Sequence, residues 1–280
     1  MWTDFTRVNY MRKELRYATD LTNEEWGLIY PLVYEEQVRG RPRKVSLREV
    51  VNALFYMVSS GCAWRMLPKD FPRMTTIQHY FYKWRGDGTL KKINHCLLMQ
   101  ARLQNGREAS PTAGVIDSQS VKTTAEARSD VGYDGGKKIK GRKRHIITDT
   151  TGLLVGAVVH RADIQDRDGA SMVLGTIRKS FPWLRYVFAD GGYAGKKLKT
   201  NLKKMGKWTF EIVKRSDYAK GFEVLPRRWV VERTLAWLSK NRRLAKDFEA
   251  SVASSLAWLF IASIKMLTRR IANLQRGNDL

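Results

Sequence analysis

Tyr186-Val187-Phe188-Ala189-Asp190-Gly191-Gly192-Tyr193-Ala194-Gly195 decides how the chain is read. The apolar run Leu184 to Ala189 has the length and composition of a buried strand, and it ends on Asp190 before two glycines. Glycine lets the backbone turn sharply and leaves open space, so Asp190 is expected at the rim of a sheet. Alone, Asp-Gly-Gly reads more simply as a strand end with a turn. But Gly114-Val115-Ile116-Asp117 is a second short apolar segment closed by an aspartate. A third acid, Glu232, falls in an amphipathic helix expected over Arg227 to Leu244.

The chain has 280 residues, enough for one large domain or two smaller ones. Its formal charge is +24, too large an excess for a typical metabolic enzyme. Such an excess points to a polyanion, most often nucleic acid, and less often to an anionic membrane surface. Cys62 and Cys96 lie far apart with no zinc or redox spacing, so both read as free thiols in a reducing compartment. Met1-Trp2-Thr3-Asp4 does not open a signal peptide, and the apolar stretch Val252 to Ile264 is too short to span a bilayer. These features predict a cytoplasmic protein with no membrane partner.

Thr22-Asn23-Glu24-Glu25 and Ser46-Leu47-Arg48-Glu49 are capping-box patterns that start helices running to about Val33 and Ser60. Thr75-Thr76 is expected to cap a third, aromatic-rich helix over Ile77 to Arg85, and a fourth runs from about Leu90 to Leu103. The set suits a helix-turn-helix-like module, or a plain helical bundle. Between the first two helices lies the basic loop Arg39-Gly40-Arg41-Pro42-Arg43-Lys44, a DNA contact or a solvated linker.

The second region alternates. Ala113 to Asp117 reads as a strand, 118 to 136 as a polar loop, and His145 to Val159 as a β-hairpin. A helix over Asp166 to Lys179, the Leu184 to Ala189 strand, a short basic helix, a strand over Trp208 to Val213 and the Glu232 helix follow. A last helix covers about Ala250 to Leu274. This order predicts a ribonuclease-H-like mixed β-sheet with flanking helices, preceded by a small all-α DNA-binding domain. The expected layout is an arm to residue 21, helices over 22–104, a linker over 105–112 and the α/β domain over 113–280. In that sheet the strands ending at Asp117 and Asp190 are neighbours.

Two aspartates at adjacent strand ends and a glutamate from a packed helix form an all-oxygen site, which suits Mg²⁺ or Mn²⁺. Two such ions, about 3.5–4 Å apart, serve phosphodiester chemistry. Three unrelated acids in a chain with 27 is the competing reading. His145 and His160 read as ordinary strand residues, and Asp163, Asp166 and Asp168 as helix caps or, equally, as metal ligands. The densest basic run, Lys137, Lys138, Lys140, Arg142, Lys143 and Arg144, is expected to be a loop that clamps phosphates.

Three blocks carry a resemblance: Gly114-Val115-Ile116-Asp117-Ser118-Gln119-Ser120-Val121-Lys122, Phe188-Ala189-Asp190-Gly191-Gly192-Tyr193 and Arg227-Arg228-Trp229-Val230-Val231-Glu232-Arg233-Thr234. They resemble the acidic blocks of bacterial insertion-sequence transposases of the DDE type, most closely the insertion-sequence-five group. Ser60-Gly61-Cys62-Ala63-Trp64-Arg65-Met66-Leu67-Pro68 resembles that group's N-terminal domain. The resemblance implies Asp117, Asp190 and Glu232 as the metal-binding catalytic triad with two Mg²⁺ ions, for which Mn²⁺ can substitute. It implies a DNA transposase that cleaves its element's ends and joins the freed 3′-OH to target DNA. Double-stranded DNA is then the partner, at terminal inverted repeats and at the target, and a homodimer on the bacterial nucleoid is expected. Arg228 fits the family's arginine. Leu225 stands where the family has tyrosine and Ser239 where it has lysine, with Lys240 one residue on. Arg39, Arg41, Arg43, Lys44, Arg228 and Lys240 join the basic run as expected DNA contacts. A nuclease of the same fold without strand transfer, or a non-catalytic DNA-binding regulator, are the alternative readings.

Overall fold

The computed structural model of the chain describes residues 12, 14–35, 43–127, 129–206, 208–213 and 226–278, without the side chains of 197, 226–228 and 276–278. The chain forms two units, 1–106 together with 260–280, and 107–259.

In the helical unit, α1 spans Asn23–Val33, α2 Leu47–Ser60, α3 Met74–Gly86 and α4 Thr89–Gln104. The Thr22 capping box forms as the sequence predicts, with Thr22 and Glu25 each bonding the other's amide. Helix α2 is apolar nearly all round, buries Val50, Leu54, Phe55, Met57 and Val58, and stops where Gly61 turns left-handed at φ 73°. Two expected caps do not form. Ser46 makes no side-chain cap, and the Glu49 carboxylate that would complete the box is taken by Arg16 at 2.8 Å and by Asn52 at 3.0 Å. Helix α3 begins at Met74, ahead of Thr75-Thr76, with Arg73 in the cap position.

In the α/β unit, β1 spans Ala113–Lys122, β2 Gly132–Asp134, β3 Ile139–Asp149 and β4 Leu154–Arg161. Then come α5 (Asp166–Ile177), β5 (Tyr186–Ala189), α6 (Lys196–Met205), β6 (Thr209–Ile212) and α7 (Pro226–Ser239). Strands β2 and β4 both pair with β3, and the order runs on through β1 and β5 to β6. The first pairs are antiparallel and the β1–β5 and β5–β6 pairs are parallel, the ribonuclease-H-like mixed sheet with helices. Strand β1 runs on past Asp117 to Lys122, so much of the stretch expected as loop is sheet. Ser118, Gln119 and Ser120 are polar, but each pairs with a β3 residue. Helix α7 stops at Ser239, short of the expected Leu244, and a 3₁₀ turn over Arg242–Leu244 follows.

The basic run is the main correction. Arg142, Lys143 and Arg144 are interior residues of β3, with at most 5 % of their surface exposed. Arg142 pairs with Asp247 at 3.3 Å and donates to the carbonyls of Glu249, Ser129 and Ala250. Arg144 donates to the carbonyls of Leu244 and Lys246. Lys143 pairs with Asp166 at 2.9 Å. These three cations hold the unit together and are not open to a phosphate; Lys137, Lys138 and Lys140 remain exposed.

The last helix, α8, spans Val252–Asn278. Its first turns belong to the α/β unit, where Trp258 is fully buried with the Arg243 guanidinium 4.3 Å from its ring. From Phe260 on it belongs to the helical unit, where Ser263 donates to Asn94 at 2.7 Å and Lys265 to Ser59. The layout read from sequence gave this whole segment to the α/β domain. By length and composition α8 could cross a membrane, a longer reach than the apolar stretch alone suggested, but most of its apolar span is buried in the fold.

Replacing Asp247 with Ala should lower stability by about 3–5 kcal/mol, because it leaves the Arg142 charge buried without its carboxylate. Replacing exposed Lys138 with Ala should change stability by less than about 0.5 kcal/mol. Urea unfolding of both variants checks the contrast.

Candidate functional site

Parallel pairing of β1 with β5 sets Ala113 opposite Tyr186 and Val115 opposite Phe188. Carried forward along both strands, the same register brings Asp117 level with Asp190. Asp190 follows the last residue of β5 and caps the 3₁₀ turn Gly191–Tyr193, its carboxylate accepting from the Gly192 amide at 2.8 Å. The Asp117 carboxylate accepts from the Ser118 amide at 2.7 Å. Glu232 comes from α7, which packs on β1 and β3. That helix is held at the β3–β4 turn, where Arg233 donates to the Thr151 carbonyl at 2.9 Å and Thr234 to the Gly152 carbonyl at 2.8 Å. The Arg233 guanidinium lies 4.6 Å from the rings of both Trp229 and Trp237, a stack that fixes its direction.

The three acids share an electrostatic field. Burial, then the negative charges of Asp190 and Glu232, push the Asp117 carboxyl up from 3.8 to about 6, against the Ser118 amide and the Lys137 ammonium. Lys137 sits at the edge of the site, its Nζ 3.1 Å from the Ser118 carbonyl. Among the described residues no three carboxylate, imidazole or thiol groups stand close enough to hold an ion as they are. The donor chemistry nevertheless fits a hard divalent cation: three carboxylates, no sulfur, and mutual repulsion that a cation would relieve.

Successive residues of a strand point to opposite faces. Asp117 and Gln119 share one face of β1, where Gln119 donates to Ser239 of α7 at 3.2 Å. Ser118 and Ser120 share the other, under α5. There Ser118 donates to Asp166 at 2.8 Å and Ser120 to Asp134 at 2.5 Å, and Lys143 reaches both aspartates. Burial raises the Asp166 carboxyl, but the bonds from Lys143 and Ser118 outweigh it and hold the group below the usual range. Gln165, not Asp166, takes the cap position of α5. His145 and His160 are buried beside this cluster, and burial lowers both imidazoles, His145 to about 3. The hydroxyl of Tyr193 lies 2.8 Å from His145 Nε2. Sequence reasoning passed over Ser118 and Tyr193, and weighed Asp166 only as a helix cap or a metal ligand, not as the partner of Ser118 and Lys143. The available signal was that Ser118 and Tyr193 lie within three residues of Asp117 or Asp190.

Of the expected DNA contacts, Arg39 and Arg41 fall outside the described residues, and Arg228 lies on α7 with its side chain not described. Arg43 and Lys44 border a cavity of about 370 Å³ that Thr75, Thr76, His79 and Tyr80 also line. Lys240 is exposed just past the end of α7, while Ser239 is turned in to Gln119.

Residues 108–267 match the family described as Transposase DDE domain, and residues 21–94 match one described as a putative transposase of the IS4/5 family. A Burkholderia cepacia protein, described as a putative transposase for insertion sequence element IS402, is 32% identical over 116 residues. That alignment covers 39% of this chain and 54% of that protein, so the chain spans about half the length of the curated relative it matches. No solved structure matches.

Because the folded state raises the Asp117 carboxyl, it binds that proton more tightly than the unfolded chain does. The stability Asp117 contributes is therefore whole below about pH 3.8 and lost as pH rises through about 6. Asp117→Asn, which mimics the protonated form, should raise the metal-free melting temperature at pH 7.5, by up to about 3 kcal/mol in stability. It should make no difference near pH 3.5. Calorimetric scans at the two pH values check the sign.

Proposed function

The chain belongs to the transposase DDE domain family, and from that premise we propose that it is a DNA transposase acting on the ends of an insertion sequence. The observation that carries the reading is the β1–β5 register, which sets two carboxylates abreast at the site faced by α7 and Glu232. When bound, two Mg²⁺ or Mn²⁺ ions would supply the Lewis acidity that activates the attacking oxygen and steadies the leaving oxygen of a phosphodiester.

In this reading Asp117, Asp190 and Glu232 hold the metal. Lys137, already against the Ser118 carbonyl, lies where the scissile phosphate would approach; Lys138 follows it in the turn between β2 and β3, and Lys140 stands on β3. Arg43 and Lys44 meet DNA from the helical unit. Water would attack the phosphorus at the element's end and expel the element's 3′-oxygen as a 3′-OH; that 3′-OH would then attack a target phosphorus and expel the target strand's 3′-oxygen, so one site serves cleavage and joining. Two element ends call for two such sites, which a homodimer on the bacterial nucleoid supplies.

Outer partners of metal ligands are worth about 10–100-fold, so loss of a ligand should cost more than about 100-fold. Asp190→Asn should thus abolish Mg²⁺-dependent cleavage of end-bearing DNA while duplex binding in a gel-shift assay persists. Cleavage by this variant at the wild-type rate sinks the assignment. Joining of a pre-cut end to a plasmid separates a transposase from a nuclease.

Replacing Lys137, Lys138 and Lys140 together by Ala should flatten the plot of log K against log salt by up to about 2.7, equally for specific and random duplexes. Fluorescence titrations at several salt concentrations read the slope, and an unchanged slope counts against these contacts.

A further inference from the structure

Tyr193, His145 and His160 form a line of buried polar groups that the proposed chemistry does not use. None exposes more than 3 % of its surface. The His160 Nδ1 lies 2.8 Å from the Arg161 carbonyl, its Nε2 lies 3.5 Å from His145 Nδ1, and His145 Nε2 lies 2.8 Å from the Tyr193 hydroxyl. The directions of these bonds follow from one end. A carbonyl only accepts, so His160 Nδ1 carries a proton. Burial keeps His160 neutral, which leaves its Nε2 as an acceptor facing His145 Nδ1. His145 Nδ1 then carries its ring's one proton, and His145 Nε2 accepts from the Tyr193 hydroxyl. The Tyr193 hydroxyl has only this way to donate into the pair.

The surroundings keep the line in place. A side chain at Gly169 of α5 would come within 2.3 Å of His145 Nδ1 and 2.8 Å of His160 Nε2, so the helix rests directly on both rings. The rings of His145 and Tyr193 meet edge to face with centroids 5.5 Å apart. Tyr193 also ends the 3₁₀ turn that Asp190 begins, and its amide donates to the Asp190 carbonyl at 3.2 Å. The turn that carries Asp190 is therefore pinned by one side chain, seated on the face of the sheet opposite to Asp117.

We propose that Tyr193 is a positioning residue for Asp190, and that the one-way line Tyr193, His145, His160, Arg161 carbonyl fixes where the Asp190 carboxylate stands at the metal site. The inference rests on the proposed role of Asp190. His145 and His160 take no part as ligands or bases; they give a tyrosine hydroxyl, which Ser118 also reaches, a fixed acceptor in a place where an unpaired hydroxyl would be costly. Loss of the anchor leaves the three acids present and the fold closed, but it frees the Asp190 turn.

The test uses the full-length protein and Mn²⁺ alone. Calorimetric titration compares wild type, Tyr193→Phe and Asp190→Asn, and the metal dependence of end cleavage is measured alongside. Tyr193→Phe should weaken Mn²⁺ binding by about tenfold. Its cleavage defect should shrink as metal is raised, so that the half-saturating metal concentration moves more than the limiting rate. Tyr193→Phe with wild-type affinity and half-saturation, beside an Asp190→Asn that has lost the ion, overturns the anchor and leaves the site reading standing. Asp190→Asn with wild-type affinity overturns both. If Tyr193→Phe fails to fold, His145→Gln and His145→Leu make the same comparison. A glutamine oxygen still accepts from Tyr193 and a leucine does not, so only His145→Leu should lose affinity, and equal affinities overturn the proposal. In wild type, nitrogen NMR of the four histidines should show His145 and His160 neutral with the proton on Nδ1 at pH 7.5. A proton on His145 Nε2 overturns the line.

Discussion

The α/β unit depends on the alternation of β1. A strand cannot send two successive side chains to the same face, and β1 puts that rule to two uses. One set, Asp117 and Gln119, faces α7; the other, Ser118 and Ser120, faces α5 and its aspartate. A slip of one residue in the β1–β3 pairing would exchange the two sets. It would bury Asp117 against Lys143 and His145 and turn Ser118 toward Glu232. The long antiparallel ladder from Gly114 to Lys122 guards against that slip, and the short parallel pairing with β5 then needs only a few bonds to set Asp190 abreast.

The positive charge of the chain divides into two populations with different physics. Exposed lysines around residues 137–140 stay solvated and are available to a polyanion. Arg142, Lys143, Arg144 and Arg243 are interior, and each is met by carboxylates or by carbonyls. Burying a cation costs several kcal/mol, and these acceptors offset that cost although Nε of Arg142 and of Arg144 has no hydrogen-bond partner among the described residues. The segment Leu244 to Ala250 supplies four backbone oxygens to Arg142 and Arg144, with the Asp247 carboxylate for Arg142 and the Glu249 carboxylate for Arg243. Net charge therefore overstates what the surface offers to a polyanion.

The strand that ends at Asp190, the parallel neighbour carrying Asp117 and the helix carrying Glu232 were all legible, because apolar runs closed by acids and glycines are strong local signals. The far half of β1 was not. Ser118-Gln119-Ser120 has loop composition, and it is a strand only because β3 offers it partners from a distant part of the sequence. The same blindness affected the basic run. Lys140-Gly141-Arg142-Lys143-Arg144 shows no apolar alternation, since the groups that neutralise it come from residues 134, 166 and 247. Asp117 was placed at a strand end, and the structure puts it inside one; the adjacency to Asp190 survives because it depends on the β5 register alone. At Ser46 the return bond from Glu49 is lost to Arg16, a partner from another part of the chain, and α3 starts at Met74, ahead of the Thr75-Thr76 expected to cap it.

Each of the three acids is followed closely by the residue that fixes its backbone. Ser118 ties β1 to α5 through Asp166, Tyr193 ties the Asp190 turn to His145, and Arg233 with Thr234 ties α7 to the β3–β4 turn. Every tie leads away from the site, into a part of the unit that carries no acid of the trio. Asp117, whose carboxyl the charges of Asp190 and Glu232 help to raise, would otherwise swing away toward water, and a flexible support would let it. Rigid ties on separate elements remove that escape, so the repulsion is retained in the fold, where a bound cation would relieve it. The residues beside the acids in sequence are thus part of the site's electrostatics, although none of them carries its charge.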